Sequence, residues 1–192
     1  MKEKKSKKGL IILIAVIVVV AIAIGAGSAG GPKKVNSDGS TAQSSAQGSQ
    51  AAKDEKFTIG DTADFDGIKV TLSKAILSAG DGQFVKPENG KKYLCLVFDI
   101  ANDSKNDITV SSMASFEAYC DEYTLNQSLM GQQCKEVKGI NQLDGSVAAG
   151  KKMNGVIAYE VPEDFKTFDI KFSPSFLGSK SVTYSFTAEN LK

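Results

Sequence analysis

The sequence predicts an all-β domain, an antiparallel β-sandwich, carried behind one N-terminal transmembrane helix and a disordered linker. Three observations lead there. All ten Phe and five Tyr lie between Phe57 and Phe186, so the material for a core is confined to one region. That region alternates apolar and polar residues with a period of two, between turn-forming clusters, and shows no convincing amphipathic helix. Ahead of it, 24 consecutive residues between Lys8 and Lys33 carry no charge.

Ile68, Val70 and Leu72 alternate with Lys69, Thr71 and Ser73 as one half-buried strand, and Asp66-Gly67 turns the chain back to Phe65. Tyr93 to Ala101 is the strongest strand. Leu94, Leu96, Phe98 and Ile100 fall on one face, Cys95 and Val97 on the other, which predicts a central strand covered on both sides. After the polar turn 102–107, Ile108 to Val110 starts a short strand. Ala114 to Cys120 aligns Phe116, Ala118 and Cys120, and Asp121-Glu122 turns the chain into Tyr123 to Gln127. Met153 to Val161, Phe168 to Phe172 and Val182 to Phe186 complete about seven to nine strands, the count expected of a sandwich. The connections 78–90 and 128–150 are long for hairpins and are candidates for function.

Residues 1–8 form a basic N-terminus expected on the cytoplasmic side, with five lysines and one acid. Residues 9–32 read as a signal-anchor. As a helix, the uncharged stretch reaches about 36 Å at roughly 1.5 Å per residue, against a hydrocarbon core of about 30 Å. A cleaved signal peptide ending at Ala26-Gly27-Ser28-Ala29 is the competing reading. Either reading places the linker and the folded domain outside the cytoplasm. No cysteine directly succeeds the apolar run, which argues against a lipid-modified N-terminus. Residues 33–55, with Val35 the only large apolar side chain, read as a flexible tether of about 26 Å mean span. Residues 56–192 are the folded domain.

The net charge of +1 is an average over these parts. Residues 1–34 hold seven lysines and one acid, and the remainder holds 16 lysines and 21 acids. The chain has no His, no Trp and no Arg. Serine- or cysteine-histidine catalysis, imidazole metal ligation and guanidinium clamps on phosphate are thereby excluded. The acidic exported part gives nucleic-acid binding no electrostatic support. Gly25-Ala26-Gly27-Ser28-Ala29-Gly30 matches a dinucleotide-binding spacing but comes after an apolar helix and lacks the strand it requires.

Three stretches resemble a known family. They are Gly90-Lys91-Lys92-Tyr93-Leu94 running to Phe98-Asp99-Ile100-Ala101-Asn102, then Ser111 to Tyr119, then Leu143-Asp144-Gly145 continuing through Gly150-Lys151-Lys152-Met153-Asn154-Gly155 to Pro162. Together they resemble the bacterial extracytoplasmic family called domain of unknown function 4352, which is grouped with a mycobacterial secreted immunogenic antigen. The resemblance covers about residues 56–187, and its third stretch is the most specific. Ala149-Gly150 stands where the family often has Pro-Gly. The resemblance implies an immunoglobulin-like sandwich displayed behind a signal peptide, lipobox or membrane helix. It implies no activity and no site residues.

Cys95, Cys120 and Cys134 are the only thiols. In an exported domain, a Cys120–Cys134 disulfide would close a loop of about 15 residues and contribute on the order of 3 kcal/mol. The alternative is that all three are small buried hydrophobes. Asp61, Asp64 and Asp66 offer oxygen ligands for calcium, or else serve a turn. Asp103 and Asp107 look like turn formers. Glu163 and Asp164 are adjacent on one loop and poorly placed to flank a glycosidic bond. Lys91-Lys92 and Lys151-Lys152 read as solvated strand edges. Tyr119, Tyr123 and Tyr159 offer either an aromatic contact surface or core packing. No catalytic residue, cofactor or metal ligand is expected. The expected function is a non-enzymatic surface module that meets a protein or cell-envelope polymer and sits in the membrane through residues 9–32. A ligand- or calcium-sensing domain is the alternative.

Overall fold

Alternation sets the parity of each strand, and parity decides which layer each side chain enters. The computed structural model describes residues 31–35, 56–174 and 180–191. The expected membrane helix over 9–32 and the glycine run at 25–30 lie outside these residues, apart from Gly31 and Pro32. Among the described residues no helix is long and apolar enough to cross a membrane.

Among the described residues, eleven strands form three antiparallel sheets. The strands are β1 (Lys33–Val35), β2 (Thr62–Phe65), β3 (Ile68–Ser78), β4 (Lys91–Asn102), β5 (Ile108–Val110), β6 (Phe116–Cys120), β7 (Tyr123–Leu125), β8 (Gly145–Val147), β9 (Lys151–Pro162), β10 (Phe168–Phe172) and β11 (Val182–Phe186). The large sheet runs β1-β2-β3-β4-β9, the smaller β11-β10-β6-β7, and β5 and β8 form a two-stranded ribbon. The described helical turns are all of the 3-10 type.

The two large sheets pack face to face, as expected. Leu94, Leu96, Phe98 and Ile100 of β4, with Ile157, Tyr159 and Val161 of β9, meet Phe116 and Ala118 of β6, Phe168, Ile170 and Phe172 of β10, and Tyr184 of β11 in one buried core. Aromatic rings cross between the layers, with Phe98 5.1 Å from Phe116 and 5.8 Å from Tyr184 between ring centroids. The Tyr184 hydroxyl donates 2.6 Å to the Val70 carbonyl of β3, so this buried polar tip is satisfied.

Two elements differ from the expectation. β3 continues to Ser78 because a bulge between Leu72 and Lys74 inserts one residue. Val70 and Leu72 face the inter-sheet core before it, Ala75 and Leu77 after it. The phase slips by one, so strict alternation ends at Ser73 although the strand does not. The Ser73 hydroxyl donates 3.0 Å to the Val97 carbonyl and anchors the bulge. The second difference corrects the linker boundary. Lys33–Val35 form the edge strand β1, in register with Asp64, Ala63 and Thr62. An unpaired β2 edge supplies backbone partners that composition cannot reveal, and Lys34 Nζ lies 2.6 Å from Asp61 Oδ2. Residues 36–55 of the linker are outside the described residues.

The β6–β7 hairpin turns on Asp121 and Glu122, both left-handed (φ 47° and 74°). A two-residue turn with both φ positive matches strand twist but favours Asn or Gly. Asp121 is held there, because its Oδ1 accepts the amides of Lys166 and Thr167, each at 2.8 Å. Glu122 has no such bond. Glu122→Gly is therefore expected to stabilise the domain by about 0.5–1 kcal/mol, the relief of left-handed strain less glycine's added chain entropy. Equilibrium urea unfolding measures it.

Candidate functional site

The outer face of the large sheet is apolar where β4 and β9 pair. Cys95 stands opposite Ala158, and Val97 opposite Val156. A one-sided sandwich strand would place polar residues there. Instead these four and Tyr93 form a second core with Val85, Cys134 and Val137, supplied by the two long connections. Strand β4 is thus covered on both sides, as its sequence predicts.

Each connection is tied down by specific bonds. In the first, Gly80 adopts φ +76°, and a Cβ there would lie 1.8 Å from the Val85 carbonyl oxygen. Asp81 Oδ1 then accepts the amides of Gln83, Phe84 and Val85 at 2.8, 2.9 and 2.8 Å. These amides hold the Asp81 carboxyl below the usual carboxylate range. The turn drives Val85 inward and leaves Phe84 84% exposed. The Tyr93 hydroxyl donates 2.6 Å to the Lys86 carbonyl and closes this loop onto the sheet.

In the second connection, the Ser128 amide donates 2.6 Å to the Ala158 carbonyl. Gly131 then lies so close to the sheet that a Cβ would stand 2.8 Å from Ala158 Cβ and 2.9 Å from the Tyr93 ring. Two 3-10 turns come next, Gly131–Gln133 and Lys135–Val137. Glu136 Oε2 accepts the Ser78 hydroxyl at 2.8 Å. Leu129 and Met130, immediately before the first turn, are 61% and 47% exposed. Both connections therefore meet over Tyr93 and present three large apolar side chains outward. Gln127 Oε1 and Gln132 Nε2 are buried here without a protein partner.

The sequence-derived candidates scatter. Cys120 faces the inter-sheet core, whereas Cys95 and Cys134 share the outer one, and all three are free thiols. The structure thus does not bear the Cys120–Cys134 bridge: the two side chains occupy different layers, separated by the large sheet. Burial pushes the Cys120 thiol up to about 11 and the Cys95 thiol higher still. The acids near residue 64 are engaged by the fold. Asp61 Oδ2 accepts the Thr58 amide, Asp64 Oδ1 accepts the Gly67 amide, and Asp66 pairs with Lys180. Among the described residues no three acids or thiols are grouped to hold a metal ion.

Asp103 pairs with Lys69, and Asp107 caps the Ala149 amide. Lys91-Lys92 and Lys151-Lys152 lie at opposite ends of the β4–β9 ladder, since Lys91 pairs with Pro162 and Lys151 with Asn102. They make no single basic patch. Tyr159 is buried in the inter-sheet core, while Tyr119 and Tyr123 remain on the surface of the β6–β7 hairpin. The aromatic surface is thus reduced to two rings. Phe84, Leu129 and Met130 do not stand out in the sequence. Their signal is a pair of adjacent large apolar residues, Phe84-Val85 in the first connection and Leu129-Met130 in the second.

A concavity of about 520 Å³ opens at the far end of the sandwich, where the β5–β8 ribbon meets the start of β3. Ser104, Asn106, Thr109 and Ser115 line it with Ile68 and Ile108. Much of this polar lining is spent on the fold, because Ser104 Oγ donates to Asn102 and the Ser111 amide donates to Ser115 Oγ.

Solved structures show the same fold at low identity. A candidate lipoprotein of Bacillus subtilis matches with a TM-score of 0.56 and 16% identity, covering 70% of this chain and 40% of that one. The chain therefore spans less than half of that protein's length. A candidate lipoprotein of Staphylococcus aureus matches with a TM-score of 0.52 and 17% identity, covering 72% of this chain and 95% of that one. Comparison with curated proteins finds no match. A family model matches residues 57–183, from the first core phenylalanine into the last strand, and the chain belongs to that family, the domain of unknown function DUF4352.

Proposed function

We propose that this chain is a non-enzymatic, extracytoplasmic module with an immunoglobulin-like sandwich. It is anchored through residues 9–32, spaced by the polar tether, and binds a protein or cell-envelope polymer through the loop-covered face of its large sheet. The observation that carries this reading is the outward placement of Phe84, Leu129 and Met130 on two loops that are bonded to the sheet beneath them. Large apolar side chains held in solvent on loops bonded to a sheet are the composition of a contact surface. Rigid presentation also lowers the entropy lost on binding.

The lipoprotein names of the two similar structures support placement outside the cytoplasm. The thiols support a non-catalytic role, since burial holds Cys95 and Cys120 away from the thiolate form a nucleophile needs. The separated lysine pairs and the acidic exported part speak against a nucleic-acid partner.

The test compares the full-length chain with a Phe84→Ser/Leu129→Ser/Met130→Ser variant for binding to isolated cell envelopes. Binding is expected to weaken at least about 30-fold, the effect of losing one strong contact residue. The melting temperature should stay within about 3 °C, because exposed side chains contribute little to folding. Undiminished binding contradicts the reading. Protease or glycan digestion of the envelopes identifies the partner's class. For the anchor, the expected result is that the chain pellets with membranes after alkaline washing and keeps its basic N-terminus. A soluble chain beginning near residue 30 contradicts it and favours cleavage.

A further inference from the structure

We infer that Cys95 and Cys134 are a disulfide-forming pair that staples the 128–142 cover onto β4, with Cys120 left as a structural thiol. Three observations place the two thiols together. The Cys95 thiol donates 3.3 Å to the Gly131 carbonyl. The Cys134 amide donates 3.2 Å to the same oxygen, so one carbonyl brings the Cys95 sulfur beside the Cys134 backbone. Gly131 is itself pressed onto Ala158, the residue that pairs with Cys95 across the β4–β9 ladder. Both cysteines are 1% exposed or less and belong to the same outer core. Cys120 is excluded, because it faces the opposite side of the large sheet.

The chemistry is thiol–disulfide exchange with an external disulfide, either a protein dithiol oxidase or a small molecule such as glutathione disulfide. The Cys134 thiolate attacks one sulfur of the oxidant, forms a mixed disulfide and releases one thiolate. The Cys95 thiolate then attacks the Cys134 sulfur, forms the internal bond and releases the second thiolate. The protein loses two protons and two electrons, and the oxidant gains both as two thiols. Because the folded thiols are shielded and burial raises the Cys95 thiol, exchange belongs to the chain before the cover docks. The product closes a loop of about 40 residues, longer than the loop a Cys120–Cys134 bond would close. This inference does not rest on the proposed binding role.

The test unfolds the reduced full-length chain in urea and dilutes it into detergent containing a glutathione/glutathione disulfide buffer. Free thiols are then alkylated, and the unreduced chain is digested for mass mapping. The expected result is one linked peptide pair containing Cys95 and Cys134, with Cys120 alkylated only under denaturing conditions. Alkylation of all three thiols, or any link to Cys120, overturns it. Reduction should also lower the melting temperature of the wild-type chain and of Cys120→Ala by about 10 °C. That shift should be absent in Cys134→Ser. An equal shift in Cys134→Ser overturns the assignment, and the mass map decides without any variant.

Discussion

Phe98→Ala is expected to destabilise the domain by about 3–5 kcal/mol, the range for emptying a large aromatic site in a packed core. Phe98 has no solvent exposure. Its ring contacts Phe116 of β6 and Tyr184 of β11, so one side chain of the large sheet touches two strands of the small one. Phe116 continues the contact to Phe172 at 5.1 Å, and Phe172 to Phe65 at 6.2 Å. Removing the ring therefore opens a cavity at the middle of an aromatic chain, where neighbours fixed in two sheets cannot collapse together. Urea unfolding should show a lower midpoint with an unchanged slope, and thermal unfolding a drop of about 10 °C or more. Phe98→Leu should lose less, because it keeps part of the volume. A loss below about 1 kcal/mol for the alanine variant contradicts the packing described.

Asn102→Ala is expected to cost about 2–4 kcal/mol, although the residue is polar and ends its strand. Asn102 is fully buried. Its Nδ2 donates to the carbonyls of Asn106 and Val147, both at 2.8 Å. Its Oδ1 accepts the Ser104 hydroxyl at 2.6 Å and the Ser104 amide at 3.2 Å. One side chain thus fixes the turn after β4 and joins it to β8. Alanine leaves the buried Val147 carbonyl without this donor, and an orphaned buried group costs more than the bond it made. Asn102→Asp should rescue nothing at neutral pH, since it sets a carboxylate against two carbonyl oxygens. Amide exchange should accelerate first in the β5–β8 ribbon, and unaltered exchange there contradicts this role.

Most of the fold is legible because period-two alternation is a local code. Leu94, Leu96, Phe98 and Ile100 report one face, Cys95 and Val97 the other, and the double cover of β4 results. Legibility fails where long-range pairing overrides the local pattern. The bulge after Leu72 shifts the phase of β3 and hides its second half. Gly145–Val147 and Lys33–Val35 each offer one large apolar residue, and each becomes a strand only because a partner edge is present. Asn102 reads as a turn residue, although it is the most extensively bonded side chain of its turn.

The thiols show the same boundary. Strand parity places Cys95 outward and Cys120 inward. Cys134 lies in a loop without parity, so its nearness in sequence to Cys120 misleads. The contact surface is legible only as two long loops, because which apolar residue turns outward depends on the Asp81 bonds and on the approach of Gly131 to the sheet.

Photo-crosslinking in living cells tests the central claim most directly. A photoreactive phenylalanine analogue replaces Phe84 in the full-length chain, and in parallel replaces Met113, which is 81% exposed and belongs to the loop beside the far-end concavity. The account predicts a discrete covalent adduct with an envelope component from position 84 and none from position 113. Adducts from position 113 alone, or from neither position, would contradict the assignment of the loop-covered face as the contact surface.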